Sequence, residues 1–500
     1  MLQYYMGGVC TMLTSVKMES VFDKETCARL QQHLNRRSGG IELFRLRRLV
    51  ELVAAQQGKE IHLPEKAYRS CYRPEMLDEP LKKFLAEKRF TPDHKRLTVA
   101  VSRVRKKLKK MGHVDPISVE DSYQLLLSSK GEKSAGLPTM GKKREDTGAL
   151  SRAEACLKGK CPPPVVFAHR GKNTEVARIV QMFPIEWHII EGVYFFPLQE
   201  KFKRNVSVYA AENAVNRRAI FNEIVASGEY SSKLAMDYSG FDGTIGSQLI
   251  GIAFGLLHEH LKLDDKLEKL WSRVATYFAT CPFVDQYGNV VSGRKGGVPS
   301  GSMFTQMVDT LVNAIVVEYI FVDEQRTRYY VYGDDSLIFL KGTVEEVSSK
   351  LETYKSEAEK LGIIVNLKKT HVCAPSEPTI FLGHYDLHSG RPVDDVLTRL
   401  IYPERAFKVD ATHLATRVAA YMAESDEVMG ILLPVYRIIK DIGDSEARAD
   451  IPSYAHRGTE GLTTIELGRV YPYMLTGLAQ FLANEDPALT NSFWRMRSSV

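Results

Sequence analysis

Two apolar arms, YYVY and SLIFL, flank Gly333, Asp334 and Asp335, a pattern that predicts a β-hairpin with a carboxylate pair at its tip. Upstream, SSKLAM leads as a short apolar strand to Asp237, followed by a glycine-containing turn and an amphipathic helix from about Ser247. GVPSGSMFTQMVDTLVNAIVVEYIF reads as a Gly/Pro/Ser loop running straight into a long helix. In EEVSSKLETYKSEAEKLG, the apolar residues Val347, Leu351, Tyr354, Ala358 and Leu361 recur at helical spacing and predict one helix with one buried stripe. IIVN and FLGHYDL close the region as two short strands, and VVFAHRG and ARIVQMF alternate as strands from about 163 onward. Between Ala235 and Leu387 the predicted order is strand, helix, helix, strand, strand, helix, strand, strand, an α+β sheet laid on helices. The stretch 128–148, rich in Gly, Ser and Lys, is expected to be a loop or linker.

The chain has 500 residues, 44% hydrophobic and 26% charged, which fits two to four globular lobes and excludes a disordered chain, a collagen or a coiled-coil rod. A net charge of +6 excludes a histone-like polycation. The run VSRVRKKLKKMGH concentrates Arg103, Arg105, Lys106, Lys107, Lys109 and Lys110; it reads as a solvated helix face or as a contact to a phosphate backbone. Seven scattered cysteines do not suggest a disulfide framework, and Cys156 and Cys161 lack the second pair that a structural zinc site needs. The N-terminal stretch has no basic region ahead of an apolar one, so no signal peptide is expected. Asn313 and Glu318 interrupt the longest apolar stretch, so no membrane segment is expected, and the chain reads as soluble and intracellular.

Two acids at a hairpin tip repel each other unless a cation lies between them. With Asp237 at the end of its own strand, three carboxylates on neighbouring strand ends suit two Mg²⁺ ions, hard cations that accept a few carboxylates plus substrate phosphate oxygens. A lone Gly-Asp-Asp is more often only a turn. Here it follows D-x4-D at Asp237 and Asp242 and SG-x3-T-x7-N at Ser300, Gly301, Thr305 and Asn313, and it forms part of YGDD at Tyr332–Asp335.

In that order these motifs closely resemble palm motifs A, B and C of viral RNA-dependent RNA polymerases. The resemblance implies a closed right hand in which Asp237 and Asp334 are the main ligands of two Mg²⁺ ions, which Mn²⁺ can replace, and Asp335 is an auxiliary acid. Ser134, Gly136 and Pro138 in SAGLP, followed by Lys142 and Lys143, are similar to motif G, which guides the template. Arg170, Lys172 and Arg178 are similar to motif F, the basic strand over the incoming triphosphate, with Arg178 the best match. Lys369 resembles the motif D lysine proposed as general acid, with Lys368 next to it as the alternative, and FLGHYDL resembles motif E. The lobes implied are fingers at 1–195 with an N-terminal extension bridging to the thumb, palm at 196–245, a fingers insertion at 246–295, palm at 296–387 and thumb at 388–500.

Asp242 can hydrogen-bond a ribose 2′-hydroxyl where reverse transcriptases carry a bulky aromatic, so an RNA product is favoured. Thr305, Asp309 and Asn313 form a polar stripe along the motif B helix. Picornavirus-type enzymes have Asn where this chain has Asp309, so either Asp309 or Asn313 takes the ribose role. GVPSGSMFTQMVDTLVN, GDDSL and RLIYPE look more like the polymerases of partitiviruses, amalgaviruses and picobirnaviruses. That resemblance implies replication and transcription of a double-stranded RNA genome with primer-independent initiation, with template and product RNA, NTPs and a coat protein as partners, inside a virion or in host cytoplasm. The alternative class, a non-catalytic RNA-binding or capsid-associated protein with the same fold, leaves the costly acid cluster without a reason.

Overall fold

The computed structural model describes residues 13–442 apart from 66–68, 70, 172–175, 204–213, 325–326, 389, 405–410 and 423. In chain order its principal strands are β1 (Thr14–Lys17), β2 (Val165–Gly171), β3 (Ala177–Met182), β4 (Ser232–Met236), β5 (Phe283–Val284), β6 (Asn289–Ser292), β7 (Arg328–Tyr332), β8 (Asp335–Leu340) and β9 (His371–Cys373). The principal helices are α1 (Phe44–Gln56), α2 (His94–Leu108), α3 (Ile185–Lys203), α4 (Ser247–His258), α5 (Asp265–Thr280), α6 (Thr305–Ile320), α7 (Val344–Ser349), α8 (Leu351–Lys360), α9 (Val393–Ile401), α10 (Ala411–Met422) and α11 (Asp426–Ile442).

The central sheet is antiparallel, in the order β9-β4-β8-β7, and the largest apolar core joins it to α6, α4, α5, α3 and α2. Helix α6 is apolar nearly all round and buried from Met307 to Ile320, as expected of a helix enclosed on every side. A second sheet, β1-β6-β5-β2-β3, is built from segments far apart in sequence. Among the C-terminal helices α9, α10 and α11, a separate apolar cluster includes Leu46, Val50 and Val53 of α1, so the N-terminal region bridges to them. Leu43 N–H also donates to Ile401 O at 3.0 Å.

Four expectations are corrected. The stripe from Val347 to Leu361 is divided between α7 and α8, which meet at Lys350. Ser349 Oγ donates to Glu346 O at 2.8 Å, a back-bond that competes with the helical ladder. IIVN is not a strand: Val365 makes only a bridge to Tyr238, and β9 takes the place beside β4. Helix α5 and strands β5 and β6, between α4 and α6, had no place in the predicted order. FLGHYDL forms a tight hairpin, β10 (Ile380–Phe381) with β11 (His384–Tyr385).

This hairpin is tied to β4 by a fully buried ion pair between Lys233 and Asp386, whose other oxygen accepts from Thr379 N–H at 2.8 Å. Breaking a buried pair strands one uncompensated charge, so Lys233→Met should lower stability by ~3–5 kcal/mol, whereas Lys233→Met with Asp386→Leu should recover most of the loss. Denaturant melts of both variants check this; equal losses would show that the burden is packing volume instead of charge.

Candidate active site

Strands β4 and β8 pair with Ser336 opposite Met236, and one more step along the antiparallel register sets Asp335 opposite Asp237. Tyr332 pairs with Asp335 across a two-residue turn, Gly333-Asp334, whose first residue has φ 61°, a conformation that favours glycine. The sheet thus brings Asp237, Asp334 and Asp335 to one edge, as the sequence pattern predicts.

Helix α6 fixes the turn. Gly333 N–H donates to Thr310 Oγ1 and Gly333 O accepts from Asn313 Nδ2, both at 2.9 Å. Asn313 Nδ2 also reaches Asp335 O at 3.1 Å, while its Oδ1 accepts from Tyr238 OH at 3.0 Å. Asp237 is held by its backbone: its N–H donates to Thr370 Oγ1 at 3.2 Å, and its carbonyl accepts from Asn366 N–H at 2.8 Å. Sequence reading had not singled out Tyr238, Thr310, Asn366 or Thr370, because small polar residues one or two places from a motif carry no signal until their partners are known.

The carboxylates act on each other. Solvent reaches Asp335 although protein surrounds it densely, and its carboxyl is pushed up to about 7, first by that surrounding protein and then by Asp334 and Asp237, against Arg178 and Arg217. Asp242 is pushed up to about 6 by burial and by Asp334, with Arg178 pulling the other way. Its carbonyl accepts from Val298 N–H at 2.7 Å, which ties it to the loop before α6. Asp309 is raised well above the usual carboxylate range by burial, then by Asp242 and Asp334, and its Oδ1 is buried without a hydrogen-bond partner. The choice between Asp309 and Asn313 therefore narrows. Asn313 uses both its amide groups on protein, whereas Asp309 faces the acid cluster with an uncommitted oxygen.

The loop before α6 is immobilised by its backbone. Arg294, 3% exposed, donates to the carbonyls of Phe278, Cys281, Gly296 and Gly297. Ser300 Oγ donates to Ile179 O of β3 at 3.1 Å, and Thr305 Oγ1 donates to Pro299 O at 2.7 Å and Ser302 O at 2.9 Å. Ser300 and Thr305 thus shape the loop. A Cβ on Gly301 would fall on the carbonyl of Gln181 in β3, so Gly301→Ala must displace backbone. We expect it to cost ~3 kcal/mol or more, read from a denaturant melt.

The basic residues divide into two groups. Arg178 is exposed on β3 and its charge reaches both Asp242 and Asp335, where a polyanion beside the acids would lie. Arg170 instead bonds Glu404 through Nε at 3.1 Å and Nη2 at 2.9 Å, and Arg69 reaches the same oxygen at 2.7 Å. Lys172 lies outside the described residues. Lys142 is exposed and paired with Glu132 at 2.9 Å, but Lys143 is buried with its Nζ on Ser134 O, so Lys143 is not a surface contact for a template. Ser134 Oγ accepts from Gly136 N–H at 3.2 Å, and Pro138 O accepts from Arg29 at 3.0 Å; these residues form one compact loop. Lys368 and Lys369 are both exposed on the turn after Asn366. In the basic run of α2, Arg103 and Lys107 pair with Glu318 of α6 at 3.5 and 3.1 Å, and Arg105 pairs with Glu259 at 2.8 Å. The run is therefore neither a bare solvated face nor wholly open to phosphates. Cys156 is buried and Cys161 exposed, and among the described residues no three His, Cys, Asp or Glu side chains form a metal cage on their own.

The architecture is the right-hand polymerase fold, with the acids gathered at the strand ends of its central sheet. The crystal structure of the RNA-dependent RNA polymerase of a human picobirnavirus superimposes with a TM-score of 0.59 over 98% of this chain and 92% of that one, at 16% identity. The sequence profile for viral RNA-dependent RNA polymerase matches residues 71–399, and the chain belongs to that family. The RNA-directed RNA polymerase of Cryptosporidium parvum virus 1 is 25% identical over 354 residues, covering 62% of this chain and 65% of that protein. That of Atkinsonella hypoxylon virus is 27% identical over 150 residues, covering 28% of this chain and 23% of that protein. The chain thus spans less than two thirds of the length of these curated relatives.

Proposed function

We propose that this chain is an RNA-directed RNA polymerase that copies and transcribes a double-stranded RNA genome. The observation that carries the reading is the convergence of Asp237, Asp334 and Asp335 on one sheet edge, with Asp242, Asp309 and Arg178 within electrostatic reach. The donor set fits divalent magnesium: the donors are hard carboxylate oxygens that repel one another, and such an ion takes a few carboxylates together with substrate phosphate oxygens. Asp237 and Asp334 would hold two Mg²⁺ ions, or Mn²⁺ in their place, with Asp335 alongside. When bound, the ions supply charge neutralisation and lower the pKa of the attacking 3′-hydroxyl.

The remaining work falls to side chains. Arg178 offers a guanidinium to the triphosphate, a bidentate match to phosphate oxygens. Asp242 and Asp309 face the sugar. The turn after Asn366, whose backbone is tied to Asp237, carries the ammonium of Lys369 or Lys368 as proton donor to the departing pyrophosphate. Lys142 and the loop of Ser134, Gly136 and Pro138 guide the template. In lobes, we assign fingers to 1–195 and 246–295, palm to 196–245 and 296–387, and thumb to 388–500. The coat protein is the expected partner, inside a virion or in host cytoplasm, with initiation independent of a primer.

The test is incorporation of labelled NTP with Mg²⁺ or Mn²⁺ on a single-stranded RNA carrying no primer. A template-length, nuclease-resistant duplex supports the reading. Failure with both ions, even when a primer is supplied, would overturn it.

A further inference from the structure

Helix α3 is apolar around its first two turns apart from Glu186, His188 and Glu191, all of them buried, and buried polar groups need partners. Two of the three are used on the loop before α6. Glu191 accepts from Ser302 Oγ at 2.6 Å and from Met303 N–H at 2.9 Å, and His188 donates from Nε2 to Gly301 O at 2.9 Å. Burial holds His188 well below its ordinary value, so the ring is neutral and the carbonyl fixes the proton on Nε2. The third faces the template-guiding loop. Glu186 pairs with Arg152 at 3.3 Å, Arg152 with Asp146 at 2.6 Å, and Asp146 accepts from Thr139 Oγ1 at 2.9 Å. Ile185 N–H donates to Ala135 O of that loop at 2.8 Å, and a Cβ on Gly136 would fall on Phe183 O.

From these contacts we infer that Glu191 and His188 are positioning residues, and that the start of α3 is a beam which sets the nucleotide-side loop 300–305 in register with the template-guiding loop 134–146. The inference rests on the polymerase reading of the site. Neither side chain is placed on substrate. They act by holding Gly301, Ser302 and Met303, and through them the start of α6, which carries Asp309 and the residues that fix the Gly333-Asp334 turn. A shift of either loop is passed to the other because α3 is buried and bonded on both sides.

The setting of Glu191 perturbs its carboxyl without removing either contact. Burial pushes the Glu191 carboxyl up to about 7 against the hydrogen bonds from Ser302 and Met303. The charged or titratable groups around it are Lys130 and Lys143 from the template side, His188 and Glu186 on its own helix, and Tyr277 and Cys281 on and after α5. A protonated Glu191 still accepts from Met303 N–H through its carbonyl oxygen and can donate to Ser302 Oγ, so the clamp persists on both sides of about 7.

Steady-state kinetics on an RNA template test the inference, with the wild type in the same assay. Glu191→Met keeps the volume and removes the acceptors; it should raise the KM for NTP ~10-fold while kcat changes less than ~3-fold. Glu191→Gln can accept from Met303 N–H and donate to Ser302 Oγ. It should recover most of the KM, and because a protonated Glu191 offers the same donor and acceptor, the wild-type KM should not rise as pH falls through about 7. Arg152→Met, on the far side of α3, should also raise the KM for NTP, and its effect should not add to that of Glu191→Met. If the variants only melt earlier and their KM values match the wild type, the residues are merely structural. If Arg152→Met alters RNA affinity alone, the coupling is wrong. A wild type that incorporates nothing would sink the polymerase reading instead, so the two failures are distinguishable.

Discussion

Asp334→Asn should lower template-directed incorporation by ~10³-fold or more while leaving the fold intact, because it removes a hard anionic ligand from a site built around charge neutralisation. Stability should move the other way. Without a bound cation Asp334 is part of the cause of the raised carboxyls of Asp335, Asp242 and Asp309, so neutralising it relieves repulsion from three sides. In EDTA the variant should melt no earlier than the wild type, and Mg²⁺ should stabilise the wild type but not the variant, since a ligand that binds only the native state raises its melting temperature. A variant that is inactive yet still stabilised by Mg²⁺ would move the ion away from Asp334. One that melts several degrees early would show that the loss is a folding defect.

Asp309→Ala should reduce the preference for NTP over dNTP by ~10-fold or more, because a buried polar group left without its sugar hydroxyl is what penalises the wrong substrate. Asp309→Asn should retain most of the preference. Burial, Asp242 and Asp334 raise the Asp309 carboxyl well above the usual range, which favours its protonated form, and a protonated acid, like an amide, offers both a donor and an acceptor. Asn313→Ala should behave differently: it strips Gly333 O and Asp335 O of their donor, and should lower kcat and stability with little change in sugar preference. Competition between an NTP and its dNTP in single-turnover incorporation separates the three. If Asn313→Ala is the variant that loses selectivity, the assignment of roles within α6 is reversed.

The acid edge was legible in the sequence because its signal is local: an apolar arm ending at Asp237, and another pair flanking Gly333, can be read within a few residues each. What surrounds that edge was not. Glu191 looks like any acid on an apolar helix until Ser302 and Met303, over a hundred positions away, turn out to be its donors. Arg170 fits a triphosphate-binding strand, but Glu404 claims it from the far end of the chain. Lys143 sits in a basic loop that reads as solvent-facing, yet the fold turns it inward onto Ser134 O. The division of α7 from α8 shows the same limit at short range, since the apolar stripe continues across the break and only the Ser349 back-bond marks it. Side-chain periodicity reports which face is buried; it does not report which polar groups have already found partners.

The internal pairing of α2 bears on how this molecule should respond to salt. Arg103 and Lys107 share the one carboxylate of Glu318 and the exposed Arg105 pairs with Glu259, while Lys106, Lys109 and Lys110 are also exposed in that stretch. Only cations that displace counterions from a nucleic acid contribute to the slope of log affinity against log salt, by ~0.7 each for a single strand. Replacing those three lysines with glutamine should flatten the slope for RNA by at most about two. Replacing Arg103 or Lys107 should leave the slope unchanged and destabilise the seam between α2 and α6 instead. The positive run is thus largely mortar between helices, with a thin basic outer surface.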